Sequence, residues 1–234
     1  MALPIGDDPL AQAFALADPQ PHERVLDLSG RVGAVALGLS ESVHSIEIVQ
    51  PAADLVEEGR RLAVSMGRRN LYFHEGDPWS LPFDDDQFDL CLWCLGLCRT
   101  ERPLATLGEI GRVLAPGGRL VLQDVVAFGS PALDLKLWEL ERRRDPSFTL
   151  FYDERQVDAM LESVSGLQVV LREHVGVTRD FAYWADVTDP TGLDDLKRVF
   201  FSLPPADQDR LDLALADGRI SFAYQALTLL LRIA

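Results

Sequence analysis

Short apolar runs that end in an acid or a glycine turn alternate along this chain with segments of helical apolar spacing. That order of periods constrains the fold more than any other feature of the sequence. Strands of period two joined by helices of period 3.6 must run parallel, and a parallel sheet needs helices on both faces. Arg24–Leu28 reads as the first strand and is followed by a glycine-bearing turn, after which 35–39 reads as helix. His44–Val49 is the second strand, and Pro51 suits the first turn of the next helix, where a missing N–H costs nothing. Leu55, Val56, Leu62, Ala63 and Met66 give that helix its buried stripe.

Leu71–His74 is a third strand, and Phe88–Trp93, almost wholly apolar, reads as a central fourth strand covered on both faces. Leu104, Leu107, Ile110 and Leu114 recur at helical spacing up to Ala115-Pro-Gly-Gly118, after which Arg119–Val125 forms a fifth strand. Asp153 is placed to cap a helix with Gln156 at its third position, and Val157, Met160, Leu161 and Val164 form its apolar stripe. Gln168–Val177 and Phe222–Ile233 are the last two strands, separated by a polar and aromatic insertion, Thr178–Ser221. The expected architecture is a single α/β domain over 1–234, with that insertion over the edge or mouth of the sheet.

Composition narrows the partners. With 22 basic against 37 acidic residues the formal net charge is −15, which repels a phosphate backbone, so nucleic acid is not expected. The longest uncharged apolar run, Leu90–Cys98, is far shorter than the roughly 20 residues that cross a bilayer, so no membrane span is expected. The first residues carry neither the basic nor the apolar part of a secretory signal, and three cysteines do not make a disulfide framework. The cytoplasm is the compartment this implies. A small molecule is the expected substrate, and assembly with a second copy or another chain is left open.

The candidate site lies at the first strand–turn–helix, Val25-Leu-Asp-Leu-Ser-Gly-Arg-Val-Gly-Ala34, because open parallel sheets bind ligands at the carboxyl ends of their strands. Two later blocks complete the pattern: Gly76-Asp-Pro-Trp-Ser-Leu-Pro-Phe-Asp-Asp-Asp-Gln-Phe-Asp-Leu90 and Leu107-Gly-Glu-Ile-Gly-Arg-Val-Leu-Ala-Pro-Gly-Gly-Arg-Leu-Val121. Phe181-Ala-Tyr-Trp184 and Ile220-Ser-Phe222 add to it. Together these make the chain resemble the class I S-adenosylmethionine (SAM)-dependent methyltransferases, in particular the ubiquinone/menaquinone type. The resemblance implies a Rossmann-like, doubly wound, seven-stranded sheet, mostly parallel with an antiparallel last strand. It also implies SAM as cofactor and methyl transfer to a small apolar or aromatic molecule.

Carried across by position, the resemblance places Asp27 near the cofactor's methionine amino group and Glu47 after strand two, on the ribose hydroxyls. It places Asp77 beside the adenine, and Trp93 and Cys94 close to the reactive methyl. Ser29, Gly30 and Gly33 form the turn that admits the cofactor. The family's acid-x-Gly-x-Gly-x-Gly stands here as Asp27-Leu-Ser29-Gly30-Arg31-Val32-Gly33, so Ser29 and Arg31 replace two glycines. Arg31 has two roles open to it, pairing with the cofactor carboxylate or filling its pocket. The second leads to the alternative reading, a methyltransferase-fold pseudo-enzyme that serves as a partner subunit, ligand-binding module or non-methylating catalyst. A nicotinamide oxidoreductase ranks below both, because GxGxxG is absent.

Bland roles stand beside these. Cys91, Cys94 and Cys98 include a CxxC, but no second pair or histidine completes a metal set, and buried packing is the default for cysteine. His74 and His174 are read as strand residues before catalytic bases. Tyr152, Phe181, Tyr183 and Trp184 either line an apolar pocket or pack the insertion onto the sheet, and Arg142–Arg144 reads as a solvated face.

Overall fold

The architecture was obtained as a computed structural model that describes residues 9–29, 34–185 and 193–234. Its elements run α1 (Pro9–Ala17), β1 (Arg24–Asp27), α2 (Ala34–Leu39), β2 (Ser45–Gln50), α3 (Ala53–Ser65), β3 (Leu71–Glu75) and β4 (Phe88–Cys94). They continue with α4 (Pro103–Val113), β5 (Leu114–Val125), α5 (Pro131–Arg144), α6 (Glu154–Glu162), β6 (Leu167–Asp180) and α7 (Phe181–Ala185). The last are α8 (Leu193–Phe201), α9 (Pro205–Arg210), β7 (Ala214–Ala216) and β8 (Arg219–Ile233). Gly30, Arg31 and Gly33 lie outside the described residues, as do 186–192 of the insertion.

The sheet order is β3-β2-β1-β4-β5-β8-β6, with β3, β2, β1, β4 and β5 mutually parallel and β8 antiparallel to both of its neighbours. This is the expected doubly wound sheet, with one short addition: β7 pairs antiparallel with the start of β8 and makes an eighth strand. Three residues are too few for sequence periodicity to reveal. β4 is central, as its unbroken apolarity requires: one face adds Phe88, Cys91 and Trp93 to the core beneath α4 and α6, while Leu90, Leu92 and Cys94 join the core on the side of α1, α2 and α3.

The turn between α4 and β5 shows why its two glycines are needed. Gly117 has φ +78°, and a Cβ on Gly118 would meet the carbonyl oxygen of Ala115 at 2.7 Å and that of Phe88 at 3.2 Å. Strand β5 begins at Leu114, ahead of this turn, and shifts register between its pairing with Phe88 and with Leu90. The expected cap at α6 is a complete capping box: the Asp153 carboxylate accepts from Gln156 N–H at 2.9 Å, and the Gln156 side chain accepts from Asp153 N–H at 2.9 Å.

β6 and β8 are longer than their apolar runs, so the segment between them is 181–218 rather than the expected 178–221. Phe181, Trp184, Phe200 and Phe222 stack edge-on or tilted at centroid separations of 4.7–5.6 Å and bind this segment to the sheet. The packing alternative therefore describes Phe181 and Trp184, both buried. Beneath them Glu141 accepts from Trp184 Nε1 (2.9 Å), Tyr224 Oη (2.7 Å) and Arg144 Nε (2.9 Å). Arg142 and Arg143 are solvated as expected, whereas Arg144 is buried, because one helical turn carries it onto Glu141.

Arg119 anchors α1. Its guanidinium donates to both oxygens of Glu23 (2.5 and 3.0 Å) and to the carbonyl oxygens of Ala17 and Asp18. Burial pushes the Glu23 carboxyl up, but the bonds from Arg119 and Gln20 N–H outweigh it and hold the group below the ordinary carboxylate range. A carboxyl lowered in the folded state stabilises above its unfolded pKa and loses that contribution as pH falls through the folded value. Two outcomes follow. Arg119→Ala is expected to cost about 3 kcal/mol in urea unfolding at pH 7, with the difference from wild type shrinking below the carboxylate range. Gly118→Ala is expected to cost about 1–3 kcal/mol by the same measurement, with no comparable loss for a substitution at the open Gly108.

Candidate active site

β1 ends in Asp27, whose carboxylate is 1% exposed. Its Oδ1 accepts from Ser29 N–H (2.8 Å) and its Oδ2 from Ala36 N–H in the first turn of α2 (3.2 Å). Burial drives the Asp27 pKa upward, opposed by these bonds and by the Ser29 hydroxyl. Asp27 thus shapes the strand-to-helix turn from within, satisfying a donor that a helix start leaves orphaned. Ser29 is sealed beside it, and its Oγ accepts from Cys94 N–H at 2.9 Å. The serine that replaces a glycine is therefore absorbed by the protein, as a bridge between the carboxyl ends of β1 and β4.

Trp93 and Cys94 close β4, both almost wholly buried. Trp93 packs with Leu28 and Leu97 in the core, and its indole lies against Gly96, where a Cβ would come within 2.1 Å of Nε1. Burial and the nearby Asp27 raise the Cys94 thiol to about 12, and burial raises Cys91 and Cys98 as well. All three are neutral, free thiols in the core, and no group of three metal-ligating side chains occurs among the described residues.

Immediately beyond β4, Leu95 has φ +56°, a left-handed conformation that costs a branched aliphatic residue about 1–2 kcal/mol. Leu95 N–H donates to Gln123 O at 2.7 Å, and Leu95 O accepts from Arg99 Nη1 at 2.7 Å, so the turn is held from both sides. Such strain gathers where loops are forced into shape around a site. Asp124, near the end of β5, is buried with a raised pKa, and its oxygens accept from Cys98 N–H (3.1 Å) and Val125 N–H (2.8 Å). Its carboxylate is occupied in building the mouth between β4 and β5. Tyr152 is half-buried at the same end, bridged to Val126.

The remaining two acids stand apart. Asp77 is exposed in the turn after β3. Glu47 is the third residue of the six in β2 rather than a residue after it, because β2 continues through Gln50, paired with β3 as far as Glu75. Its Oε2 lies 2.6 Å from His74 Nε2, and the His74 ring sits edge-on to Phe83 of the Leu-Pro-Phe turn at 5.3 Å. His174 is paired with Glu154 on the outer strand, away from this end of β1 and β4. Gln50, buried at the end of β2, precedes Pro51, which marks where the strand must stop.

No helix among the described residues is long and apolar enough to cross a membrane. The profile of the ubiE/COQ5 methyltransferase family matches residues 11–137. An uncharacterized methyltransferase, YcgJ of Bacillus subtilis, is 33% identical over 142 residues, covering 61% of this chain and 56% of its own. A demethylmenaquinone methyltransferase of Clavibacter sepedonicus is 35% identical over 136 residues, covering 57% of this chain and 53% of its own. The chain thus spans little more than half the length of these curated relatives in alignment. In three dimensions the crystal structure of YcgJ superposes with a TM-score of 0.83 at 24% identity, covering 96% of this chain and 97% of the other. With a matched profile that spans more than half of the residues, the chain belongs to the ubiE/COQ5 methyltransferase family.

Proposed function

We propose that the protein is a SAM-dependent methyltransferase acting on a small, apolar or aromatic molecule. The observation that carries this reading is the family match over β1 to β5, the part of the sheet whose carboxyl ends surround Asp27, Ser29 and Cys94. The residues proposed to hold the cofactor are Asp27, Ser29, Gly30 and Gly33 at the first turn, Glu47 in β2, Asp77 after β3, and Trp93 and Cys94 at the end of β4. Relatives named demethylmenaquinone methyltransferases support an apolar, ring-bearing acceptor.

The bound cofactor would supply an activated methyl group. Transfer of that group asks the protein for alignment and exclusion of water, and proximity can contribute about 7–11 kcal/mol at best. The chain's own residues suit that demand. Asp27 and Ser29 tie the end of β1 to the end of β4, the left-handed Leu95 is fixed immediately beyond β4, and neutral buried cysteines offer no competing nucleophile. Where an acceptor must lose a proton, a base helps only within hydrogen-bond reach, and both described oxygens of Asp124 and of Asp27 already accept from backbone donors.

The alternative, a methyltransferase-fold subunit or binding module without transfer, draws on Arg31, since Ser29 is accommodated. A thermal-shift titration separates them: a ligand at 100 times its Kd stabilises by about 2.7 kcal/mol. SAM and its demethylated product S-adenosylhomocysteine are expected to raise Tm, and no shift with either at millimolar concentration would establish the alternative. A second outcome concerns the thiols. In native protein at pH 8 Cys91, Cys94 and Cys98 are expected to resist alkylation by iodoacetamide and to react only on unfolding, read by mass spectrometry.

A further inference from the structure

The sheet ends in two unlike edges, β3 and β6. The β3 edge is short and guarded: Arg60 Nη2 donates to the carbonyl oxygen of Phe73 at 2.6 Å, so a side chain of the protein already stands where a neighbouring strand would bond. β6 is the longer, and from Leu171 to Asp180 its pairing with β8 runs without a break. Among the described residues no strand pairs with its other side. Which groups face that side follows from β8. Val126 N–H donates to Gln225 O at 2.9 Å, so the Gln225 backbone points at β5 and away from β6. Gln225 stands level with Gly176, and level residues of an antiparallel pair either both face each other or both face away. The N–H and carbonyl of Gly176 therefore point to the open edge, and those of Arg172, His174, Thr178 and Asp180 follow by alternation. His174, Gly176 and Thr178 are exposed. Such a row of donors and acceptors is a template for another strand.

The side chains select the strand that fits. A second copy of β6 laid antiparallel along this edge must set outward residues against outward residues, so a two-fold axis between them passes through a residue. With the axis at Gly176, Glu173 stands opposite Arg179 of the second copy and Arg172 opposite its Asp180, and the symmetry repeats both pairs. Val175 then meets Val177, and His174 meets Thr178. Moving the axis by one residue in either direction removes both pairs of opposite charge. Charges on an edge ordinarily ward off a neighbour, but Arg172-Glu173 before the glycine and Arg179-Asp180 after it are complementary to their own reversed order. Arg172 donates through Nη1 to Glu154 at 2.9 Å and through Nη2 to Asp158, which leaves Nε for an acid across the edge. Gly176 suits the centre, since nothing lies within 4 Å of where its Cβ would stand and two backbones can meet there.

We propose that the protein associates with a second copy of itself through β6, joining the two sheets into one across a two-fold axis at Gly176. The N–H groups of His174, Gly176 and Thr178 then donate to the carbonyl oxygens of Thr178, Gly176 and His174 of the second copy. Just beyond the last pair, Val169, Val170 and Leu171, exposed in one chain, run toward the start of α7 in the other. The axis stands perpendicular to the sheet and reverses strand direction, so the carboxyl ends of β1 and β4 face opposite ways in the two copies.

The test follows the mass of the intact chain by analytical ultracentrifugation across a range of concentrations, with melting curves as a folding control and hydrogen exchange to locate the contact. The wild-type chain is expected to pass from one copy to two as concentration rises. The amides of His174, Gly176 and Thr178 are expected to gain protection in step, while those of Val175 and Val177, which face β8, serve as the reference. Glu173→Arg and Arg179→Glu each set like charges opposite one another and are expected to weaken the association about tenfold. The double variant restores opposite charges and is expected to associate within about threefold of wild type. A chain that stays single at every concentration, single reversals that associate as wild type does, or a double variant no stronger than the singles would overturn the proposal. So would association that leaves the three outward amides unprotected, because the contact would then lie on another face.

Discussion

A carboxylate shut away from water at the end of β1 is the constraint from which the rest of this end of the molecule follows. Asp27 survives burial only because Ser29 N–H and Ala36 N–H point at it, and those donors are available only if the chain turns sharply from strand into helix. Ser29 extends the arrangement by accepting from Cys94 N–H, so the carboxyl ends of the two central strands are held at one height. The two central strands are thus locked at their carboxyl ends by Asp27 and Ser29.

Around that lock the protein uses two glycines that leave no room for a side chain and one leucine held in a strained conformation. Gly118 has a carbonyl oxygen where a Cβ would stand, and Gly96 has an indole there. Leu95 occupies a left-handed conformation and is held in it by hydrogen bonds at both its N–H and its carbonyl. Rigid elements below and strained turns above divide the work: the strands fix position, and the turns fix the shape of what is presented. The segment between β6 and β8 is added by a different means, an aromatic cluster over a buried Glu141–Arg144 pair that also receives Trp184 and Tyr224. A charged pair so enclosed is expensive to break and fixes one docking of α7 on α5 and β8.

Much of the fold was legible because its signals are local. The apolar run Phe88–Trp93 could belong only to a strand covered on both sides, Asp153 and Gln156 announce a helix start, and Ala115-Pro-Gly-Gly118 announces a turn; each is written within a few neighbouring residues. Strand β7 was invisible because three residues carry no period, and the extra lengths of β6 and β8 were invisible because their exposed ends lack an apolar pattern. The fate of Arg144, buried while Arg142 and Arg143 are solvated, depends on which way α5 is rotated against the sheet.

The sequence by itself determined the order of strands and helices, the parallel sheet and the first turn as the place to look, because periodicity, glycine turns and helix caps act between residues close in the chain. Only the tertiary structure decided which polar residues share that place. Asp27 and Gln50 come onto one face of the sheet and Glu47 onto the other, since the face of a strand residue depends on where the strand ends and on its register with its neighbours. A strand reverses its face with every residue, so the three positions that separate Glu47 from Gln50 put them on opposite faces, the first against His74.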